Sequence, residues 1–244
     1  MLLVLVASML AVFCLYQPEN GAKHLPRTQM EAPTDPPATT EPPTEPPTQP
    51  PTEPPTEPPT QALPEGPIVV TPIHSLEDLA TLTVPEYVSV QIIDADNPSR
   101  RCQKLNDIKD IVIHYVGNPG ATAQQNRDWY AESNSDVSSH FVVGLQGEII
   151  QCIPLDEKSS ATNHRNGDTI SIEVCHPDES GKFTEAGYNS VVELTAWLVK
   201  ACGLTVDNVI RHYEVTGKEC PMYYVKHEDA WWQLRADIAA RVAQ

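Results

Sequence analysis

Basic side chains are scarce in this sequence. Sixteen Lys and Arg stand against 33 Asp and Glu, for a formal net charge of −17 over 244 residues. Nucleic-acid binding needs clustered cations that displace counterions, and the densest cluster, Ser99-Arg100-Arg101-Cys102-Gln103-Lys104, is short. The composition therefore argues against a nucleic-acid partner, and the acidity reads as the solubilising surface of an exported protein. Aromatic residues are nearly absent before Pro85, whereas most of the 24 prolines sit before Pro72. A core can form only in the C-terminal two-thirds, which is long enough to bury a substantial apolar interior. No local zinc motif of the HExxH kind occurs, so any metal site must be assembled from distant residues.

The N-terminal segment lacks two marks of an export signal, a basic start and a clear small-x-small cleavage site. Residues 1–16 are nonetheless almost wholly apolar. They are fewer than the ~20 residues of a spanning helix and fit the apolar region of a signal peptide. Cys14 follows Phe13, which is too bulky for a lipoprotein signal. We expect residues 1–16 to be a signal peptide or an uncleaved signal anchor, with membrane contact only through that segment. The protein is then secreted or anchored, facing the cell wall. Residues 17–66 form a Thr/Glu/Pro-rich linker, in which TDPP, TEPP and TQPP units recur from Thr34 to Pro59. Such a segment favours extended polyproline II and, at ~3.1 Å per residue, spans roughly 100 Å from Ala32 to Pro64.

Cysteine usage is uneven too. Setting Cys14 aside leaves Cys102, Cys152, Cys175, Cys202 and Cys220, an odd number for an exported chain. At least one thiol then does something other than pair. Buried, reduced thiols are the alternative, and no disulfide is assigned.

Beyond an N-terminal extension at 67–96, the periodicities change. Alternation predicts strands at Tyr87–Ile93, Asp110–Tyr115, Phe141–Gly144, Glu148–Gln151, Ile170–Cys175 and Val209–His212, with a hairpin turn at Leu145-Gln146-Gly147. Thr122 can cap a helix over Ala123–Ala131, and Thr184 a longer one ending at Cys202, with Gly203 as its stop. Trp231, Leu234, Ile238 and Val242 form one apolar stripe on a last helix. The expected class is α/β (α+β): a single domain with a central mixed β-sheet flanked by helices.

Within that frame, His114 ends an apolar strand and precedes the loop-forming Gly117-Asn118-Pro119-Gly120. His212 follows Val209-Ile210 in the same way, and Cys220 lies eight residues further on. Two imidazoles and one thiolate would make a three-ligand zinc site with a free fourth position. Glu173 lies mid-strand between apolar neighbours, where a carboxylate is costly unless it has a partner, and beside a metal it would be a natural general base. Ordinary buried histidines and a solvent-facing strand carboxylate remain open on spacing alone.

Several segments together resemble a known family. They are Ile111-Val112-Ile113-His114-Tyr115; Ser139-His140-Phe141-Val142-Val143; Ser171-Ile172-Glu173-Val174-Cys175; and Arg211-His212-Tyr213-Glu214-Val215-Thr216-Gly217-Lys218-Glu219-Cys220-Pro221. Their types and order over about 97–244 resemble the zinc-dependent N-acetylmuramoyl-L-alanine amidases, the group that includes phage lysozyme-like amidases and peptidoglycan recognition proteins. The resemblance implies a catalytic domain holding one zinc ion through His114, His212 and Cys220, with peptidoglycan as substrate. It places Lys218 near the scissile carbonyl and Glu173 at an acidic catalytic position. It also implies that His164, Ser139 and His140 contact substrate. Phage-type members carry a catalytic Tyr where this chain has Ser139, which shifts the base role toward Glu173. Two other readings stand beside the hydrolase. One is a non-catalytic wall-binding module on a stalk. The other is a structural zinc domain, which needs a fourth protein ligand such as Cys175 or His176. The sequence leaves oligomeric state open.

Overall fold

The computed structural model describes residues 62–132 and 136–244; the leader and the Thr-Glu-Pro-Pro repeats lie outside the described residues. Strands β1 (Val88–Val90), β2 (Asp110–Tyr115), β3 (Phe141–Val143), β4 (Ile149–Gln151), β5 (Thr169–Val174) and β6 (Val209–Arg211) form one six-stranded sheet in the order β1-β4-β3-β5-β2-β6. Only the β3–β4 hairpin is antiparallel, so the sheet is mixed as expected. Central strands with helices on both faces are apolar on both, which is why β2 and β5 read as nearly continuous hydrophobic runs.

Strand alternation divides the sheet into two chemically different faces. On the first, Ile111, Ile113, Phe141, Val143, Ile170, Ile172 and Val174 pack beneath α2 (Glu185–Ala201) and α5 (Glu228–Val242). Leu194, Leu198, Leu234 and Ile238 of those helices are fully buried, each worth about 1.5–3 kcal/mol of apolar transfer. The second face carries Val142, Ile150, Cys152 and Cys175 against Ala123 and Tyr130 of α1 (Ala123–Glu132). Helix α1 lies over β3 and β4, while α3 (His212–Thr216) lies over β2 and β6. The second face thus has two separate covers.

Two elements differ from the sequence expectation. Strand β1 is shorter than 87–93, because it is an edge strand paired only with β4; Gln91 and Ile93 still donate to the carbonyls of Gln151 and Cys152 beyond its end. Strand β6 stops at Arg211, and His212 opens α3 rather than ending a strand. The cause is Glu214, whose carboxylate accepts from the Arg211 backbone N–H (2.7 Å) and side chain and so caps the turn. An additional short helix, α4 (Met222–Lys226), follows Pro221.

The hairpin and α2 are tied together at one residue. Thr184 Oγ1 accepts from Gly187 N–H at 3.0 Å and donates to the Leu145 carbonyl at 2.7 Å. The turn lies so close to the helix that a Cβ on Gly147, at φ +85°, would meet Ser190 Oγ at 2.8 Å. Thr184→Ala removes both a helix cap and a turn anchor. Urea unfolding should show a loss of about 1–2 kcal/mol, and an unchanged midpoint would contradict this role.

Candidate active site

His114 is the fifth residue of β2, and the parallel register sets it opposite Glu173 of β5. Both therefore point to the second face, where the two covers meet. His212 arrives from the neighbouring strand by way of α3, and the loop after α3 returns Cys220 beneath it, with Tyr213 N–H donating to the Cys220 carbonyl at 3.0 Å. The ligand-capable atoms of His114, His212 and Cys220 all lie within 4.8 Å of one another, and all three residues are buried. Cys220 Sγ is 3.8 Å from His114 Nδ1, and the two imidazole rings are 4.7 Å apart.

Protonation follows from burial. The interior holds His114 well below the usual histidine range, helped by the charges of His212 and Lys218; burial and the Lys218 charge lower His212 as well. Both rings are neutral and offer lone pairs. Asn163 Oδ1 lies 2.7 Å from His212 Nε2 and accepts its proton, which leaves the lone pair on Nδ1. Thr162 Oγ1 approaches His114 Nε2 at 3.5 Å, on the side away from Cys220. The Cys220 thiol is pushed up to about 12 by burial and by the Glu173 charge, against a backbone hydrogen bond from Tyr115 and the nearby Lys218. A proton occupies the thiol unless a cation displaces it.

Two neutral imidazoles and an ionisable thiol, converging at this spacing, are a donor set that suits zinc, whose bonds to nitrogen and sulfur run about 2.0–2.3 Å. Among the described residues the group contains three such donors. Cys175 and His176 do not join it: Cys175 Sγ takes a 3.6 Å contact from Asn126 Nδ2, and His176 packs on the Tyr115 ring. The four-ligand structural site has no support in this geometry.

Glu173 stands beside the group. Its Oε1 lies 3.8 Å from His114 Nδ1, its Oε2 is buried with no hydrogen-bond partner, and the side chain retains 14% exposure. Burial raises its pKa to about 8, with Lys218 pulling it back. Lys218 is exposed on the loop between α3 and α4. His164 is exposed in the short 3-10 turn Asn163–Arg165, next to the residue that holds His212. Asn163 itself was not identified from sequence. Its left-handed backbone (φ +54°) is a conformation asparagine tolerates well, but nothing local announces its partner.

Ser139 and His140 need correction as substrate contacts, since both are fully buried. Ser139 Oγ donates to the Phe141 carbonyl at 2.8 Å and approaches Tyr130 Oη at 3.5 Å. His140 Nε2 meets the Glu157 carbonyl at 2.8 Å, and its Nδ1 takes the Ser171 backbone N–H at 3.0 Å. Burial lowers the His140 pKa to about 4, so it is a neutral internal strut.

Such a group on such a sheet defines an α/β domain with a candidate metal site. Residues 104–223 match the family described as N-acetylmuramoyl-L-alanine amidase. The chain is 31% identical over 152 residues to N-acetylmuramoyl-L-alanine amidase CwlL of Bacillus licheniformis, covering 55% of this chain and 42% of that one. It is 27% identical over 161 residues to N-acetylmuramoyl-L-alanine amidase BlyA of Bacillus subtilis strain 168, covering 57% and 43%. Among solved structures, a mutant endolysin from Bacillus subtilis superposes with a TM-score of 0.55 at 24% identity, covering 62% of this chain and 97% of that one; this is a likeness of fold. Over residues 104–223, just under half of the chain, the sequence is similar to the N-acetylmuramoyl-L-alanine amidase family. The matches span less than half the length of those two curated relatives.

The raised pKa of Glu173 has a thermodynamic consequence. Above about pH 4.5 the unfolded chain ionises this carboxyl, while the folded, metal-free protein keeps it protonated until about pH 8. Glu173 therefore subtracts stability as pH rises through that window, and the full cost is present above it. In chelator-treated protein, Glu173→Gln should raise the melting temperature at pH 9 and leave it unchanged at pH 4. Equal shifts at both pH values would show that burial of the charge is not the cause.

Proposed function

We propose that the protein hydrolyses the amide joining the lactyl group of N-acetylmuramic acid to the L-alanine of the stem peptide in peptidoglycan. The observation that carries this reading is the buried group of three metal-capable donors with Glu173, a carboxylate of raised pKa, facing it. The relatives' names, N-acetylmuramoyl-L-alanine amidase, agree with it.

One zinc ion held by His114, His212 and Cys220 would supply a Lewis acid that polarises a carbonyl and lowers the pKa of water toward roughly 7. Glu173, whose Oε1 faces the donor group, takes the proton of the attacking water and hands it to the leaving amine nitrogen. Lys218 places its ammonium on the developing oxyanion, and His164 meets substrate from the adjoining turn. Asn163 and Thr162 hold the imidazoles in orientation without touching substrate. A non-catalytic wall-binding module would have no use for a neutral pair of imidazoles, a thiol and an orphan carboxylate kept together at a cost in stability.

The reading extends to the chain outside the sheet. Residues 97–244 are the catalytic domain and 67–96 its N-terminal extension. We read residues 17–66 as a linker and 1–16 as an export signal or anchor, calls that fall almost wholly outside the described residues, for a protein that acts on the cell wall.

Incubation with purified peptidoglycan should generate new N-terminal alanine. Lys218→Ala should lower kcat about 10²–10³-fold, and Glu173→Gln about 10²–10⁴-fold with zinc content retained. His114→Ala should lose zinc and activity together. Release of stem peptide by a zinc-free His114→Ala protein would overturn the assignment.

A further inference from the structure

Two of the three donors, His212 and Cys220, lie eight residues apart on one stretch of chain. The side chain that joins the flanks of this stretch is Arg211, which the mechanism above does not use. The stretch leaves β6 through α3 and returns by way of Cys220 to α4 and α5. Arg211, the residue just before His212, is only 5% exposed, and its guanidinium reaches all three helices. Nε and Nη2 donate to the Glu214 carboxylate of α3. Nη1 donates to the Tyr224 carbonyl of α4 at 2.7 Å and to the Glu228 carboxylate, at the start of α5, at 2.9 Å. The Tyr224 carbonyl belongs to the last turn of α4, where a helix leaves its acceptors without an intrahelical donor, so Arg211 caps α4 from outside. The same guanidinium lies 5.1 Å from the ring centroid of Trp231, a buried residue of α5.

The chain between the two donors has little of its own to fix its width. Every residue from Tyr213 to Glu219 except Val215 is exposed, so packing lends that stretch little rigidity. One backbone bond crosses it close to Cys220, from Tyr213 N–H to the Cys220 carbonyl. The gap between His212 and Cys220 is therefore set largely at the flanks, where the Arg211 fork ties α3 to α4 and α5. A guanidinium can do this because its N–H groups diverge in one plane and reach several acceptors at once, whereas an ammonium is a point donor on a freer stem. Replacing a buried ion pair with apolar side chains is often neutral or stabilising. The fork beside the donors is thus better explained by the geometry it fixes than by stability. Arg235 offers a contrast. It clamps α5 to Asp207 (2.8 Å) and to the Val206 carbonyl (2.9 Å), in the turn before β6, at the end of that strand opposite to His212.

We propose that Arg211 is a positioning residue for the metal: its fork fixes the gap between His212 and Cys220, so that these donors stand ready for a divalent cation before it binds. This rests on the zinc reading of the donor group, and its test keeps the two apart. Zinc affinity is measured by competition with a chelator on full-length wild type, Arg211→Lys, Glu228→Ala and Arg235→Met proteins, together with the melting temperature of each metal-free form. Arg211→Lys should bind zinc about tenfold more weakly. Glu228→Ala, which removes one arm of the fork, should lose less. Arg235→Met should lower the melting temperature and keep wild-type zinc affinity. With cobalt(II) in place of zinc, the thiolate-to-metal absorption should shift in Arg211→Lys and stay unchanged in Arg235→Met. Wild-type zinc affinity or an unchanged cobalt spectrum in Arg211→Lys would overturn the positioning role, whatever its melting temperature. An equal loss of affinity in Arg235→Met would overturn it too, by making the effect one of general stability. A wild type that binds no zinc would sink the metal reading and the clamp together. One that binds zinc with the expected dependence on Arg211, yet releases no N-terminal alanine from peptidoglycan, would sink the hydrolase and keep the clamp.

Discussion

The site depends on one constraint: three residues that would each prefer water or a proton are held together in an apolar interior. His114, His212 and Cys220 come from β2, from the start of α3 just past β6, and from a returning loop, and their closeness follows from the register of β2 against β6. Burial keeps both imidazoles neutral and the thiol protonated. Those are the states from which a divalent cation gains most: two lone pairs are already exposed, and one proton can be released on binding. A surface cluster of the same residues would be hydrated and mobile, and would bind less selectively.

The sheet makes this affordable by dividing its labour between faces. The first face, under α2 and α5, holds most of the large apolar side chains, including Leu194, Leu198, Leu234 and Ile238. The second face is thinner in apolar contacts and carries Ser171, His140, Glu173 and His114 in its place. Its buried polar groups are mostly satisfied by one another: His140 with Ser171 and Glu157, Ser159 with Ser171 at 2.8 Å, and Arg100 with Glu157 at 2.8 Å. Ser99 Oγ, Ser160 Oγ, His176 Nε2 and Glu173 Oε2 are buried without a hydrogen-bond partner, and of these Glu173 belongs to the carboxylate beside the three donors, a position whose cost in stability points to a use other than stability.

Much of this architecture can be read in the residues. The runs Asp110–Tyr115 and Ile170–Cys175 are apolar enough to identify central strands. The Thr184 cap, the Gly203 stop and the Trp231–Leu234–Ile238 stripe fix two long helices. These signals are local, so sequence carries them. The closeness of His114, His212 and Cys220 is also partly legible, because a histidine at the end of an apolar strand beside a turn has few other places to go. Ser139 and His140 show the opposite limit. They immediately precede β3 and carry polar chemistry, yet whether they face inward depends on Ser171 and Glu157, which are remote in the chain. Asn163 is hidden for the same reason: its bond to His212 joins positions 49 residues apart. The start of α3 at His212 was obscured because its cap is a glutamate reaching back to an arginine backbone, whereas the usual sequence signal is a short polar residue at the cap itself.

The two covers of the second face add a direction to the chemistry. A single helix spanning the whole face would bury β2 and β5 completely and leave no route to Glu173. Instead α1 ends over β3 and β4, and α3 with the Asn163–Arg165 turn begins over β2 and β6, so a reacting group meets Glu173 with one cover on either hand. The covers differ in charge because they differ in work. The α1 side is lined by an indole and carboxamides, and the α3 side bears the Lys218 ammonium within electrostatic reach of the donors. Lys218 acts electrostatically on three groups of the site. Its charge disfavours protonation of His114 and His212 and draws the Glu173 carboxyl back toward ionisation. One exposed lysine on a loop thus biases the protonation of three buried or half-buried groups from outside the apolar interior.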